Sequence, residues 1–447
     1  MAFQQGLSGL GASSKQLDVI SNNVANSTTV GFKSGQAHFA DVFAASLNGA
    51  GAGQVGVGVS VSGIEQQFTQ GNISTTNNPL DIAINGGGFF RMDTNGSLSF
   101  TRSGQFHLDK DGFVVNDQSA KLTGYPVDPV TGLVVPASPT PIQLSAADIP
   151  PVATGQSSGA ITGVQAKVNL DSRQGQPSTP VWVSGAASIP GTAASYAPSP
   201  ATYNYSTAVS IFDTLGNSHN LTFYFVKTAN TGEWDVHASV DGTTDTNVTL
   251  GIPAAPVGSV GLPLEFNTSG VLDPNTANVT VSIDLNKVMN DLGKPNNAAS
   301  PLTFNLDMTG STQFGATSST NSLAQDGYTT GRLTGMSVAA DGMVKGNYSN
   351  GQSLSLGQVV LANFANPNGL VSLGNNQWQD TAASGPALVG APNSGRLGVL
   401  QSAAVEESNV DLTSELVAMI TAQRSYQANA QSIKTQDQIM QTLVNLR

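Results

Sequence analysis

The sequence contains no cysteine, which excludes structural disulfides, thiolate-bound metals and thiol catalysis. Charge is scarce as well: Asp, Glu, Lys and Arg make up 10% of the 447 residues, against about 25% in ordinary soluble domains. What charge there is leans acidic, 17 basic against 29 acidic residues and a net charge of −12, with no basic run. Phosphate neutralisation needs clustered cations, so no nucleic-acid partner is expected. No apolar run approaches the roughly 20 residues that span a bilayer, and no membrane insertion is expected. The first residues lack a charged leader and an apolar h-region, with Lys15 as the first basic residue, so export by a Sec signal peptide is not expected.

Glycine (49 residues), Ser, Thr, Asn and Ala fill the space that charge leaves. The two ends of the chain stand apart from the rest. Phe3, Leu10, Leu17 and Val24 recur every seventh residue, with Leu7 and Ile20 on the same face. Leu412, Met419, Tyr426, Ile433 and Met440 do the same, with Leu416, Ala422 and Leu443 beside them. Seven-residue spacing keeps an apolar stripe on one side of a helix and fits coiled-coil packing. A helix is predicted at each end, the second from about Asp411 to Leu446 with Ser408 and Asp411 as candidate caps. About three heptads are marginal alone, so each helix calls for a partner.

Between the ends the pattern is β. Val55–Gly63, Leu221–Lys227 and Asn278–Asn286 are strand-like, the last alternating through Val279, Val281, Ile283 and Leu285. Turn signals such as Asn95-Gly96, Asp111-Gly112, Asp241-Gly242, Asp341-Gly342 and Asn350-Gly351 punctuate short strands. Such punctuation implies sandwiches or barrels, not a parallel sheet. The proline-rich Tyr125–Thr154 suits an extended connection, Ser184–Pro200 a surface loop, and the polar run Ser311–Ala324 a crossing back. The expected fold is mainly β with α-helical termini: N- and C-terminal helices pairing as a coiled coil, and two nested β-rich domains. The expected division is a terminal helical core (1–40 with 405–447), connecting segments (41–78 with 396–404), an inner β domain (79–148 with 326–395) and an outer inserted β domain (149–325). Hinges are expected near Asp41–Thr76 with Gln401–Ser408, and near Tyr125–Thr154 with Asn305–Gln325.

Chemistry-bearing patterns are sparse. His38, His107, His219 and His237 share no metal-ligand spacing, and HExxH is absent. Asn85–Phe90 (NGGGFF) lacks the Lys-Ser/Thr and helix of a P-loop, since Phe89, Phe90 and Arg91 continue as strand. Asp109–Phe113 (DKDGF) opens like a calcium loop, but its twelfth position is Ala120 where a ligand Glu belongs, so it reads as a hairpin turn. No segment gathers acids and aromatics into a sugar cleft. No enzyme activity, metal or cofactor is expected.

Two longer motifs carry a likeness. Gly6–Phe39 (GLSGLGASSKQLDVISNNVANSTTVGFKSGQAHF) closely resembles the N-terminal signature of the bacterial flagellar rod and hook axial proteins, notably at Asn22, Asn23, Ala25, Asn26, Thr29, Gly31, Phe32 and Lys33. Ser408–Met440 resembles their C-terminal end, through Asn409, Asp411, Glu415-Leu416 and Gln423–Asn429. Leu80–Phe90, Phe212–Lys227 and Tyr348–Leu370 look like the hook proteins, and the large insertion favours hook over the shorter rod proteins. The likeness weakens over Asp128–Asn204 and Val240–Asn321.

The resemblance implies a subunit that polymerises helically into a curved, flexible tube joining motor rod to filament. It implies export as an unfolded chain through the flagellar type III apparatus to an extracellular position, and partners in the rod, the hook cap and the hook-filament junction proteins. A distal rod or junction protein is the alternative. On this reading Leu10, Leu17 and Val24 are expected to pack against the Leu412, Met419, Tyr426, Ile433 and Met440 stripe, and Asn22–Lys33 to form the exit turn.

Overall fold

Among the described residues there are four α-helices: α1 (Ala2–Ala25), α2 (Pro274–Ala277), α3 (Leu285–Asp291) and α4 (Leu412–Asn445). The two long ones lie at the ends, where the heptads are, and pack against each other. The remaining elements are mostly short strands, in a computed structural model that describes residues 2–42, 56–128, 132–144, 148–157, 162–179, 182, 198–243, 245–251 and 261–445. Most of Ser184–Pro200, and Val55, fall outside the described residues. Among the described residues no helix is long and apolar enough to cross a membrane.

Asp411 caps α4 as anticipated, its Oδ1 accepting from the amides of Thr413 (2.9 Å) and Ser414 (3.2 Å). Ser408 does not cap; its hydroxyl accepts from Val410 N, short of the helix. The alternation over Asn278–Asn286 also breaks early. The strand covers Asn278–Ile283, after which the Asp284 carboxylate accepts from Lys287 N and starts α3 at Leu285. Leu285 stays buried as the pattern demanded, but on a helix.

The chain divides into two compact units: Met1–Ala146 with Gly335–Asn347 and Ser353–Arg447, and Ala147–Thr334 with Tyr348–Gln352. In the first, strands run in the spatial order Met343–Tyr348, Ser353–Val359, Lys121–Tyr125, Phe89–Thr94, Ser97–Thr101, Gln377–Gln379, Val371–Gly374. Phe90, Met92, Leu122, Val359 and Leu361 fill its core, and a second cluster gathers Phe89, Phe100, Phe364 and Trp378 edge to face. Asn95-Gly96 takes positive φ at both residues and closes the hairpin between two of these strands, as an Asn-Gly turn should.

The second unit builds one apolar core from two sheets. Tyr205–Phe212, Ser218–Lys227, Glu233–Val240 and Leu262–Glu265 form an antiparallel meander. The other sheet is mixed and centres on Val164–Asp171, which pairs parallel with Leu302–Asp307 and Thr312–Phe314 and antiparallel with Ser319–Gln325. The polar run Ser311–Ala324 therefore lies largely in strands, where threonine's branched side chain fits the pleat. The two-stranded ribbon by which the chain enters and leaves this unit pairs Ile149 with Gly331 and Val152 with Tyr328.

Candidate functional site at the paired chain ends

Helix α1 runs antiparallel to α4. Near its start, a Cβ on Gly6 would stand 3.0 Å from Ile433 Cγ1, and one on Gly9 2.8 Å from Asn429 Nδ2. At its other end Asn23 Nδ2 donates to Glu415 Oε1 at 3.0 Å. Among the described residues Gly6, Ser13, Ile20 and Asn23 are the buried positions of α1, and Ala422 that of α4. Small residues let the helix backbones approach closely, and Gly6, Ser13 and Ile20 keep the seven-residue spacing on a different row from Phe3, Leu10, Leu17 and Val24. The hairpin of Gly35–Val42 with Gly58–Gln66 flanks α1, with Val59 N donating to Ser8 Oγ at 3.3 Å.

The apolar stripes that the heptads single out are only partly used within the chain. Leu10, Leu17 and Val24 are half-buried, while Phe3 and Leu7 are exposed. On α4, Met419 and Ile433 are half-buried; Leu412 (46% exposed), Tyr426 (37%) and Met440 (63%) face outward. Leu416, Val417, Ile420 and Ile439 are exposed beside them. Ile433 of the predicted stripe packs against α1 at Gly6. Among the described residues α4 thus keeps a broad apolar face uncovered, and exposed patches of this kind commonly mark interaction surfaces.

Asn22–Lys33 ties the end of α1 to the strands of the first unit. Asn26 N bonds Asn22 O at 3.1 Å, Asn26 Nδ2 also donates to Asn22 O, and tight turns follow at Thr29 and Phe32. Asn23 is buried and serves Gly35 as a strand would, accepting from its amide (2.8 Å) and donating to its carbonyl (2.9 Å). Ala25 is exposed and Phe32 half-buried. Gly31 has φ +71°, the left-handed region that favours glycine, and a Cβ there would lie 2.5 Å from Ser103 N. Its amide donates to Glu406 O at 2.8 Å.

Lys33 then enters a closed site at 1% exposure. Its ammonium donates to Glu406 Oε1 (2.7 Å) and Thr69 O (2.6 Å). Arg102, 3% exposed, donates from one guanidinium nitrogen to Glu406 Oε2 at 3.3 Å and to Gly86 O at 3.0 Å, over the Phe89 ring. Burial holds the Lys33 ammonium and the Arg102 guanidinium below their ordinary values, against the pull of Glu406 on both. Next along, Asn409 Oδ1 accepts from Ser34 N (2.8 Å) and its Nδ2 donates to Gln67 O (2.7 Å).

Sequence reasoning singled out Gly31, Lys33 and Asn409 here but missed Glu406 and Arg102. The local signal was slight, one of two adjacent acids after an apolar triplet (AAVEES), and the partners of Glu406 lie 373 and 304 residues away.

The histidines are dispersed. His38 and His107 sit in exposed pairs with Glu65 and Asp117, and His237 stacks on Trp182 at 4.2 Å. His219 is buried between Asp241 (Nδ1 to Oδ2, 2.7 Å) and Asp213 (Nε2 to Oδ2, 3.5 Å). Among the described residues no group of three His, Cys, Asp or Glu could hold a metal ion. Asp109 Oδ1 accepts from the amides of Asp111 and Phe113, making a turn.

Comparison with known families matches four segments. They are the flagella basal body rod protein (3–33), the flagellar hook protein FlgE/F/G D1 domain (83–156), the flagellar basal body protein FlaE D2 domain (169–328) and the flagellar basal body rod FlgEFG protein C-terminal (401–446). The chain is 43% identical to the flagellar hook protein FlgE of Salmonella typhimurium strain LT2 and to that of Escherichia coli K12, covering 100% of both chains in each case. It is 30% identical to FlgE of Borreliella burgdorferi, over 100% of this chain and 99% of that one. In fold it is similar to the crystal structure of Helicobacter pylori flagellar hook protein FlgE2, with a TM-score of 0.50 at 13% identity, over 74% of this chain and 100% of that one.

Proposed function

The chain belongs to the flagellar hook protein family, and on that premise we propose that it is the structural subunit of a bacterial flagellar hook. Subunits polymerise helically into a curved tube that transmits torque from rod to filament. The observation that carries this is the uncovered apolar stripe of α4, Leu412 through Met440, on a helix already paired with α1. Each such side chain gains about 1.5–3 kcal/mol when buried, and copies in neighbouring subunits supply the missing wall. Paired α1 and α4 then line the inner layer of the tube, with Leu10, Leu17, Val24, Met419, Tyr426 and Ile433 in its packing. In the free subunit the outer parts of these helices are less ordered than in the polymer.

The low charge suits this role. Polar but uncharged surfaces can pack and shift between subunits without stranding buried ions. A rotating curved tube lengthens on one side and shortens on the other, and the strand pairs linking the β domains absorb that change. The proposed division is the one set out from the sequence, 1–40 with 405–447, 41–78 with 396–404, 79–148 with 326–395, and 149–325. Rod, hook cap and junction proteins are its neighbours, and the chain reaches the extracellular flagellum unfolded through the type III apparatus. Its role is mechanical and not catalytic.

Electron microscopy of the polymerised chain, beside a version lacking residues 1–33, tests this. Curved tubes from the full chain and none from the shortened one are expected. Straight rods would move the assignment to a distal rod or junction protein, and native flagella lacking the chain would overturn both.

A further inference from the structure

Glu406 gathers partners from three distant segments. Its carboxylate accepts from Lys33 Nζ (2.7 Å), Gly71 N (2.9 Å) and Arg102 (3.3 Å), and its carbonyl accepts from Gly31 N (2.8 Å). Its own strand, Ala404–Glu406, pairs with Ile73–Thr75. Every one of these partners lies in the first 102 residues, whereas Glu406 arrives more than three hundred residues later. Take the carboxylate away and two buried cations, Lys33 and Arg102, share one site with no anion. Breaking a buried ion cluster on one side strands charge in a low dielectric, which is far costlier than losing a hydrogen bond.

The position of this cluster gives it a consequence beyond local stability. Gly31 follows the last residue of α1, Ala25, by six positions, and Glu406 precedes the cap of α4, Asp411, by five. Fixing Gly31 and Lys33 on Glu406 therefore fixes where one helix ends relative to where the other begins. The later contacts along the seam, Asn23 with Glu415 and Gly6 with Ile433, follow from that register.

We infer that Glu406 is the positioning residue of the terminal helix pair. Among the described residues its carboxylate is the one anion paired with Lys33 and Arg102 in their buried site, so the exit of α1 is seated only when the C-terminal strand has arrived. The register lock stands on this geometry; its consequence for polymerisation rests on the hook reading.

Residue-resolved amide exchange on the full-length free subunit tests it. Four amides report the site: Gly31 (to Glu406 O), Ser34 (to Asn409 Oδ1), Gly35 (to Asn23 Oδ1) and Gly71 (to Glu406 Oε1). In Glu406→Gln all four are expected to exchange faster together, by on the order of 100-fold or more, while Ile142 and Val359 in the β core stay protected. Lys33→Met in the Glu406→Gln background removes one stranded cation and is expected to restore much of the protection. Acceleration confined to Gly71, or single and double variants that simply add, would overturn the inference. If Glu406→Gln unfolds the whole unit, the double variant decides: recovery of Ile142 and Val359 supports the lock, and no recovery refutes it. Because the readout is on the monomer, it stands or falls separately from whether the chain forms hooks, which microscopy reads.

Discussion

Replacing Gly31 by alanine should cost far more than its single methyl suggests. At φ +71° an L side chain is strained by about 1–2 kcal/mol. The added Cβ would also lie 2.5 Å from Ser103 N and 2.8 Å from Arg102 C, main-chain atoms that no rotamer change can move aside. Relief comes from backing the loop away, which breaks the Gly31 N–H bond to Glu406 O. A lost hydrogen bond with a stranded acceptor adds about 1–3 kcal/mol, so Gly31→Ala should destabilise the first unit by about 2–5 kcal/mol in all. Gly96 supplies the control, because its φ is +89° yet nothing lies within 4 Å of its would-be Cβ. Gly96→Ala should pay the strain alone, about 1–2 kcal/mol. Urea titrations of fluorotryptophan-labelled protein, read at Trp378 in the first unit, compare the two. Equal destabilisation within about 0.5 kcal/mol would refute the claim that Gly31 is needed for close approach to the Arg102–Ser103 backbone and not merely for its dihedral.

Three further outcomes follow from the geometry. Ile420→Asp, on the exposed face of α4, should leave monomer stability within about 0.5 kcal/mol while abolishing polymer in sedimentation and electron microscopy; polymer at wild-type yield would remove that face from the assembly. Gly9→Ala should assemble, since the Cβ meets only the end of the Asn429 side chain, whereas Gly9→Leu should hold the helices apart and give no tubes, with the β units unchanged in urea. The second unit should lose stability as pH rises through the folded value of His219. Burial alone would lower that value, but the bonds to Asp241 and Asp213 outweigh it and hold it above the ordinary 6.5, so the stabilisation is complete below 6.5. Asp213 acts in the opposite sense: burial would raise it, yet bonds from Asn217 and Leu215 hold it below 3.8, and its contribution fades as pH falls through the folded value. Urea midpoints read at Trp234 should show the alkaline decline in the wild type and not in His219→Gln.

The helices and the β-rich body were legible because their signals are local. Heptads at the two ends need only seven-residue spacing, and Asn95-Gly96 needs only its own dihedrals to close a hairpin. Local signals also set the limits. The alternation through Leu285 reads as strand to the end, until the Asp284 carboxylate caps a helix and breaks it. Ser311–Ala324 is polar enough to pass for a connector, yet its strands are bought into a sheet by pairing with Val164–Asp171, which lies about 150 positions earlier in the chain.

The sequence by itself determined that the ends are helical, that the middle is β, that thiol chemistry is absent and that the family is flagellar. Each of these depends on composition or on neighbours within a few residues. Tertiary structure alone decided which row of α1 meets α4, because Gly6 and Gly9 carry no hydrophobic signature and matter only through how closely two backbones approach. It alone decided that Glu406 holds Lys33 and Arg102. A buried ion cluster is defined by the coincidence of three charges in one low-dielectric site, and nothing in the residues around any one of them records the other two.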